Sequence, residues 1–299
     1  MEGRMNMSEF WKNINTYYKR YGLHATIVRI MDKLTGQSRV DYMTWYQKTK
    51  PTKQVLKIQR ETTFPYMPEI LVIVLENKSG SHRLADSLKN QTYSRWKLCK
   101  TRELNDVVEI LKEAKEEYVL ITQPEDELSA DAFFQCVKSL NADRTIEAIY
   151  SDDDIIKNET EYEEPAIKPD LNLDMLRSCN YIHNFLLVKK KLCQELFEEC
   201  LESWNGQIDW KYDFIFRCIE EKHSIHHIAK VLYHRNVEHV QVCDEQERKA
   251  IDMHLKRMNI KGNVEKTEYR GIYRVRYTME ETPLISIVIP NKDHVEDLK

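Results

Sequence analysis

Acidic residues follow two short apolar segments that are typical of β-strands. The first segment runs from Tyr118 to Thr122 and the second from Ile146 to Tyr150. The carboxyl ends of parallel strands meet at one edge of a sheet, where open α/β sheets bind ligands. We therefore expect one crevice to receive both groups of carboxylates. The groups are Glu125 with Asp126, and Asp152 with Asp153 and Asp154.

The segments that must position these carboxylates alternate between strand and helix patterns. Runs rich in β-branched residues, such as Ile70 to Leu75, alternate with helical patterns such as Phe133 to Leu140. This alternation is typical of an α/β domain. Pro65 and Pro68 mark the start of the region.

The first 66 residues predict a different structure, an amphipathic helical leader. Apolar residues recur at three- and four-residue steps from Phe10 to Leu34, and Gly36 ends the pattern. Basic residues flank this stripe, so the leader would suit an anionic membrane surface. The alternative is a helix that packs on its own domain. We favour packing and keep peripheral membrane contact as the alternative.

Composition argues against several classes of protein. The chain has 299 residues and 7 Gly, where average usage of roughly 7% gives about twenty. The glycines are too far apart for a G-x-G-x-x-G or Walker loop. A net charge of -4 without a basic stripe argues against a nucleic-acid partner. No apolar run approaches the roughly 20 residues of a membrane helix, so we expect a cytoplasmic protein, with the inner face of the cell membrane as the alternative location.

A late segment repeats the pattern of an early one. The residues from Pro283 to Asp293 resemble those from Pro68 to Lys78. Self-similarity of this kind indicates a second copy of the domain. Because a lone strand cannot bury its faces, we expect the second copy to continue in a longer tandem protein.

Several stretches, taken in order, resemble the family 2 glycosyltransferases, and in particular the tandem rhamnosyltransferase-like proteins of bacterial surface-polysaccharide synthesis. No single motif carries the resemblance, which depends on their order and spacing. The stretches are Asn90-Gln91-Thr92-Tyr93, Tyr118 to Ile121, Asp126-Glu127-Leu128, Tyr150 to Asp154, Lys168-Pro169-Asp170, Asn180-Tyr181-Ile182, His227 to His234 and Gly271 to Tyr277.

The resemblance implies a GT-A fold, with a mostly parallel central sheet between helices, that acts on a nucleotide-diphosphate sugar and a glycan acceptor. In the family a D-x-D motif holds Mg²⁺ or Mn²⁺, hard cations that choose carboxylate oxygens. The cation neutralises the charge that develops on the departing diphosphate. A separate carboxylate takes the proton from the acceptor hydroxyl, and the anomeric centre is inverted.

This sequence departs from the family pattern at three places. The Asp-Asp-Gly-Ser loop that contacts the base and ribose is missing between Trp96 and Glu103. Gln123-Pro124-Glu125 occupies the D-x-D position, where Gln123 offers only a neutral oxygen. Lys211 occupies the position of the catalytic carboxylate, and a lysine near its reference pKa of about 10.4 is a poor base at neutral pH.

The departures leave three interpretations open. We favour a degenerate glycosyltransferase domain, with the chemistry performed by the second copy. In a competing interpretation Glu125, Asp126 and the acidic run from Asp152 to Asp154 rebuild a donor and metal site, and Asp213 acts as the base. In the third, the domain only binds the acceptor glycan or serves as a scaffold for the second copy.

Three further residues are candidates for substrate binding because they match the family's motifs. Lys168 and Asp170 flank a rigid proline, and His234 closes a predicted strand near the diphosphate. A simpler explanation is that Lys168 and Asp170 are surface charges and that His234 is a histidine at the rim of the site.

The sequence thus predicts a helical leader over residues 1–66, an α/β GT-A domain over 67–270, and a linker with the first strand of a truncated second domain over 271–299. The predicted function is transfer of a sugar from a nucleotide-diphosphate donor to a cell-surface polysaccharide. Rhamnose is the sugar that the resemblance suggests.

Overall fold

The computed structural model describes residues 42–77, 80–204, 206–220, 224–236, 244–279, 281 and 284–288, with isolated positions between 14 and 31. Most of the amphipathic leader helix predicted from Phe10 to Leu34 therefore lies outside the described residues. Among the residues that are described, no helix combines the length and the apolar character needed to cross a membrane.

Helices and strands alternate along most of the α/β region. The helices from residue 42 onward are α1 (Tyr42–Thr49), α2 (Lys53–Glu61), α3 (Arg83–Lys89), α4 (Asp106–Glu113), α5 (Ala132–Ala142), α6 (Leu173–Ser178), α7 (Lys190–Cys200), α8 (Trp210–Glu220) and α9 (Asp244–Arg257), with a 3₁₀ turn at Leu201–Ser203. The strands are β1 (Ile70–Leu75), β2 (Trp96–Thr101), β3 (Tyr118–Thr122), β4 (Glu127–Leu128), β5 (Ala148–Ile156), β6 (Tyr162–Ala166), β7 (Leu186–Lys189), β8 (Ile225–Arg235), β9 (Gly262–Lys266) and β10 (Tyr273–Tyr277).

The central sheet has the strand order β2-β1-β3-β7-β5-β8-β4, and β6 pairs with β5. Strand β1 lies parallel to β2 and β3, and β5 lies parallel to β8. Strand β7 runs antiparallel between β3 and β5, so the residues just before β7 lie at the edge where β3 ends. The predicted α/β fold class, with a central sheet flanked by helices, is confirmed. The sheet is mixed, because among its described strands β4, β6 and β7 run antiparallel to the other five.

Strand β1 contributes to hydrophobic cores on both faces of the sheet. Leu71 and Ile73 face the core beneath α4, α7, α8 and α9. Ile70, Val72 and Val74 face the core beneath α3 and α5. Successive side chains of a strand point to opposite faces, and a strand covered on both faces is apolar almost throughout. This explains the unbroken apolar run that marks β1 in the sequence.

Strand β5 is longer than the sequence pattern predicts. The apolar pattern stops at Tyr150, but the strand continues through the acidic run to Ile156 and all nine of its residues are buried. The expectation that Asp152, Asp153 and Asp154 lie beyond the end of a strand is therefore wrong. Strand β8 accompanies β5 to its end and pairs Ile155 with Arg235. Register shifts near Asp152 indicate bulges in the pairing of these strands.

The described part of the leader lies against the α/β domain. The Tyr42 hydroxyl of α1 donates a hydrogen bond of 2.6 Å to Asp154. Gln59 of α2 lies 3.4 Å from Asp131 through its amide nitrogen and accepts a hydrogen bond of 3.2 Å from Thr92. Helices α1 and α2 are thus attached to the domain by polar contacts.

A β-hairpin follows helix α9 and packs against it. Strands β9 and β10 pair with each other, and the Tyr273 hydroxyl donates a hydrogen bond of 2.8 Å to Glu247 of α9. Beyond the hairpin, residues 284–288 form no strand, and the side chains of Leu284, Ile287 and Val288 are exposed. The second copy predicted to begin in this segment stays a prediction.

The two faces of α5 allow a test of this architecture. Phe133 is fully buried in the core, whereas its neighbour Phe134 is half-buried against Phe64. We expect Phe133→Ala to lower the free energy of unfolding by about 3–5 kcal/mol because it removes a large side chain from a packed core. Urea denaturation followed by circular dichroism measures the change. Phe134→Ala is the matched control, and an equal loss in both variants would contradict the assigned faces.

Candidate functional site

Asp153 is fully buried in β5 and is paired with cations from other elements. Arg235 Nε donates to Asp153 Oδ1 at 2.8 Å, Lys168 Nζ lies 2.5 Å from Oδ2, and His183 Nδ1 lies 3.0 Å from Oδ2. Burial by itself raises the pKa of the Asp153 carboxyl, but the charges of Arg235 and Lys168 outweigh it and hold this pKa well below its usual range. The side chain therefore carries a negative charge inside the protein.

His183 lies at the edge of this cluster, in the loop before β7. Its φ is 60°, in the left-handed region that few residues other than glycine adopt. Burial is the largest cause that lowers the pKa of the imidazole, and the positive charge of Arg235 adds to it, so that the pKa is about 4. His183 is therefore neutral near pH 7.

Asp154, the next acidic residue, holds a ring of aromatic and polar side chains. His234 Nδ1 lies 2.6 Å from Asp154 Oδ1, and because a carboxylate only accepts hydrogen bonds, Nδ1 carries the proton. Ser129 Oγ lies 3.1 Å from His234 Nε2. The Tyr162 ring stacks on the imidazole at 3.9 Å between centroids, and Tyr46 of α1 covers it edge-on. His234 is thus enclosed in the interior.

Asp152 connects β5 to the loop that contains the Lys168-Pro169-Asp170 motif. Its Oδ1 accepts a hydrogen bond of 2.9 Å from the backbone N–H of Lys168. His227 Nε2 lies 2.9 Å from the same oxygen, and His227 Nδ1 lies 3.3 Å from Asp170. Lys168 is buried but the Asp170 side chain is exposed. Of the two motif charges, only Asp170 faces solvent.

Asp126 is fully buried between β3 and β4 and accepts hydrogen bonds on both oxygens. The Tyr233 hydroxyl and the Asn184 amide donate to Oδ2 at 2.5 and 3.2 Å, and the backbone N–H of Asn236 donates to Oδ1 at 2.8 Å. Tyr233 also hydrogen-bonds Thr122 at the end of β3. Burial raises the pKa of Asp126 in spite of these donors.

Glu125 is the neighbouring carboxylate and differs from Asp126 in having an oxygen atom without a partner. The Asn77 amide donates to Glu125 Oε1 at 2.5 Å. Glu125 Oε2 is buried and has no hydrogen-bond partner among the described residues. A buried polar atom in this state is unusual in a native structure, and it points to a ligand or water that completes its bonding.

Lys211 lies in the first turn of α8, at the same edge of the sheet. Its Nζ donates a hydrogen bond of 2.9 Å to Asn184 Oδ1, whose amide nitrogen contacts Asp126. Burial lowers the pKa of the Lys211 ammonium, against the opposing charges of Asp126, Asp209 and Glu125. The side chain is half-buried.

A cleft opens beside Lys211. Its polar lining comes from His183, Asn184 and Lys211, and the half-buried ring of Trp210 lies next to them. Its apolar lining comes from β3, β7, α7 and α8, through Val119, Ile121, Leu186, Val188, Cys193, Phe214 and Ile215. A concave apolar surface with a few convergent polar groups is the usual form of a small-molecule site.

Asp213 is two residues from Lys211 but has a different environment. Residues two apart on a helix point in different directions. The Trp204 indole and Arg217 Nε donate to Asp213 Oδ2 at 2.8 and 2.9 Å, and an Arg257 nitrogen lies 2.8 Å from Oδ1. The structure brings Glu125, Asp126 and Lys211 together at one edge, whereas Asp213 lies within a separate charge cluster toward α9.

The described geometry gives little support to a cation held by a pair of carboxylates. Among the described residues, no three His, Cys, Asp or Glu side chains come together as a metal-binding group. A cation shared with a diphosphate still needs one or two available carboxylates, but Asp126 accepts three hydrogen bonds, and only Glu125 Oε2 remains. Lys211 already provides a positive charge beside both residues. The residues do not fit the two-carboxylate site that the resemblance implies, and the Glu125 and Asp126 metal assignment stays a prediction.

Sequence patterns did not single out several residues that complete these contacts. They include His183 and Asn184, which come directly after the Asn180-Tyr181-Ile182 motif, and Tyr233 and Arg235, which flank His234. The only sequence signal for these residues was their position next to residues of the quoted motifs. Their pairing with Asp126 and Asp153 depends on the strand order, which no local pattern specifies.

Together these features define an α/β domain with a crevice at the edge of a mixed sheet where β3 ends. No protein-family profile matches the chain. Two curated proteins are similar in sequence. The chain is 32% identical over 207 residues to the uncharacterized protein y4gI of Sinorhizobium fredii, covering 65% of this chain and 22% of that protein. It is 26% identical over 256 residues to the O-antigen biosynthesis protein RfbC of Myxococcus xanthus, covering 82% of this chain and 19% of that protein. The chain therefore spans about a fifth of the length of these relatives.

Two solved structures illustrate the similarity in fold. The S. aureus protein TarS has a TM-score of 0.45 and 11% identity, covering 64% of this chain and 40% of that chain. The mannosyltransferase PcManGT from Pyrobaculum calidifontis, solved in complex with GDP-Man and Mn²⁺, has a TM-score of 0.43 and 14% identity, covering 73% of this chain and 71% of that chain.

The Asp153 cluster predicts a large effect of removing one cation. We expect Lys168→Met to lower the free energy of unfolding by about 3 kcal/mol, because breaking a buried pair leaves a charge without compensation. Arg235 stays beside Asp153, which keeps the loss near the lower end of the range for buried pairs. Urea denaturation measures it. The control is Lys89→Met, which breaks the exposed pair of Lys89 with Asp86. A Lys168 variant as stable as this control would contradict a structural role.

His183 predicts a pH dependence of stability. Its folded pKa of about 4 lies below the ordinary value of 6.5, so the unfolded chain takes up the proton first as the pH falls. The contribution is fully present above pH 6.5 and is lost as the pH falls to about 4. We expect His183→Asn, which tolerates the left-handed backbone, to flatten the curve in this window.

The measurement is the difference in free energy of unfolding between wild type and His183→Asn at each pH. A difference is needed because Glu247, whose pKa burial raises to about 7, contributes with the opposite sign in the same window. Parallel curves for the two proteins would contradict the assignment.

Proposed function

We propose that this chain is a glycosyltransferase domain that acts in the synthesis of a surface polysaccharide. It binds a nucleotide-diphosphate sugar at the crevice of the sheet and transfers the sugar to a glycan acceptor. The similarity to the O-antigen biosynthesis protein RfbC extends over 82% of the chain and supports this class of function. The motifs quoted above from the family 2 glycosyltransferases support it independently.

The observation that carries the proposal is the cleft beside Lys211. It combines an apolar floor and the Trp210 ring with polar groups from His183, Asn184 and Lys211. It opens next to Glu125 and Asp126, at the edge where open α/β sheets bind ligands. Its volume of about 30 Å³ admits only a few atoms, so the aromatic face and the polar side chains suit one edge of the base or of the sugar ring.

Direct transfer also needs a group that accepts a proton. The acceptor oxygen forms a bond to the anomeric carbon, the bond from that carbon to the diphosphate breaks, and the hydroxyl proton passes to a carboxylate. Asp213 is surrounded by Arg217, Arg257 and Trp204. Glu125 is the better candidate, because its Oε2 has neither a hydrogen bond nor an ion pair among the described residues, whereas Asp213 Oδ1 lies 2.8 Å from an Arg257 nitrogen.

A second candidate function is binding of the acceptor glycan without catalysis, in support of another catalytic copy. This function is favoured because most of the carboxylates predicted for the site are already bonded to other groups of the protein. Asp126, Asp153 and Asp154 have hydrogen bonds or ion pairs on both oxygens. A domain that had lost its chemistry would retain such residues for stability.

The two candidates differ in a calorimetric titration of the chain with UDP, GDP and dTDP, and separately with surface-polysaccharide fragments. The first function predicts that one nucleoside diphosphate binds with a Kd at or below about 1 mM, worth about 4 kcal/mol, and that its sugar conjugate gives product in a transfer assay. We expect Glu125→Gln to lose transfer by about a hundredfold or more while nucleotide binding persists.

The control is Glu113→Gln, at the C-terminal end of α4. Its carboxylate is exposed and should leave transfer unchanged. Glycan binding in the absence of any nucleotide binding would favour the second function. Transfer that is unaffected by Glu125→Gln would contradict the role of Glu125 as the base.

A further inference from the structure

The Lys211 ammonium occupies a place at the crevice that calls for a ligand. Among the described residues, its hydrogen-bond partner is the neutral amide oxygen of Asn184 at 2.9 Å, and no carboxylate lies within ion-pair distance. A half-buried charge without a close counter-ion loses solvation that a neutral partner only partly restores. The other described lysine of the site, Lys168, is by contrast paired directly with Asp153.

The position of the ammonium is fixed by a chain of hydrogen bonds. Asn184 accepts from Lys211 and donates to Asp126, which in turn accepts from Tyr233 and from the backbone of Asn236. These contacts connect α8, the start of β7, the β3 to β4 loop and the end of β8. Asp126 thus accepts hydrogen bonds on both of its oxygens. Asn184, which donates to Asp126, holds the Lys211 ammonium through its own amide oxygen.

The same contacts explain why a divalent cation fits poorly. A cation at this edge would need oxygen ligands from Asp126, which are already hydrogen-bonded, and it would lie beside the positive charge of Lys211. Like charges that share one site repel each other. The lysine therefore takes the electrostatic position that a cation would have.

We propose that Lys211 replaces the divalent cation of this site, so that the nucleoside diphosphate binds through the Lys211 ammonium without a metal ion. This inference rests on the proposed function and specifies how that site recognises its donor. Lysine binds phosphate as a compact point charge with three donors. The cleft next to Lys211, with a volume of about 30 Å³, then contacts one edge of the nucleotide sugar.

The proposed role of Lys211 agrees with the way in which charge moves during the transfer of the sugar. When the bond between the anomeric carbon and the diphosphate breaks, the electron pair stays on the diphosphate oxygen. Lys211 remains protonated throughout and stabilises this charge, as a fixed cation does at a developing anion. The acceptor proton passes to Glu125, so no metal ion or further reactant is needed.

The test is calorimetric titration of the whole chain with UDP, GDP and dTDP, in EDTA and in Mn²⁺. We expect the Kd of the preferred nucleotide to differ by less than about threefold between the two conditions, and Lys211→Met to weaken binding in EDTA by about tenfold or more. Lys211→Arg keeps the charge and should stay within about threefold of wild type. The matched control is Lys191→Met, whose side chain is 80% exposed and should leave binding unchanged.

Other results would contradict either the role of Lys211 or the proposed function. Binding that requires Mn²⁺ and is lost in Glu125→Gln would overturn the role of Lys211 while leaving the proposed function intact. Absence of nucleotide binding in both conditions would instead overturn the proposed function. Loss of transfer with full binding in Lys211→Arg would show that Lys211 acts as a base and not as a fixed charge. Unchanged thermal unfolding of the Lys211 variants shows that a loss of binding is not a loss of fold.

Discussion

The interaction on which the acidic edge of this domain depends is the buried charge of Asp153. A carboxylate in the interior is stable only where cations and donors replace its water, and here they come from Lys168, His183 and Arg235. These partners belong to the loop after β6, the loop before β7 and the end of β8. One charge thus fixes the relative positions of three chain segments around β5, and the loops at the crevice are positioned by it.

The neighbouring carboxylates extend the same arrangement in two directions. Asp154 holds His234 and, through Tyr42, helix α1, while Asp152 holds the Lys168 loop. The carboxylates of β5 therefore hold neighbouring segments of the domain together. Glu125 and Lys211 differ from these carboxylates, because among the described residues Glu125 Oε2 has no hydrogen-bond partner and Lys211 donates to a neutral amide oxygen.

The sequence predicted the alternation of strands and helices because apolar periodicity and β-branched runs are local properties. It also predicted that two acidic groups share one crevice, which stays a prediction, since Asp152, Asp153 and Asp154 are buried within β5. It placed the end of β5 too early, since three consecutive acidic residues are poor strand formers in isolation and become strand residues only when partners compensate their charge. The i,i+4 spacing is compatible with the pair of Asp213 and Arg217, but nothing local indicates the contact of Asp213 with Arg257, which lies 44 residues farther along the chain.

By itself the sequence determined the α/β class and the apolar character of β1. It also determined that glycine-rich phosphate loops are absent and that position 211 is a lysine. Only the tertiary structure decided which charged side chains are paired with other groups of the protein and which remain available to a ligand. The reason is that the effect of an ionisable side chain depends on its partners and its burial, and these come from segments far apart in sequence. Lys211 is connected to Asp126 through Asn184 because β7 runs antiparallel and brings Asn184 to the edge where Asp126 follows β3.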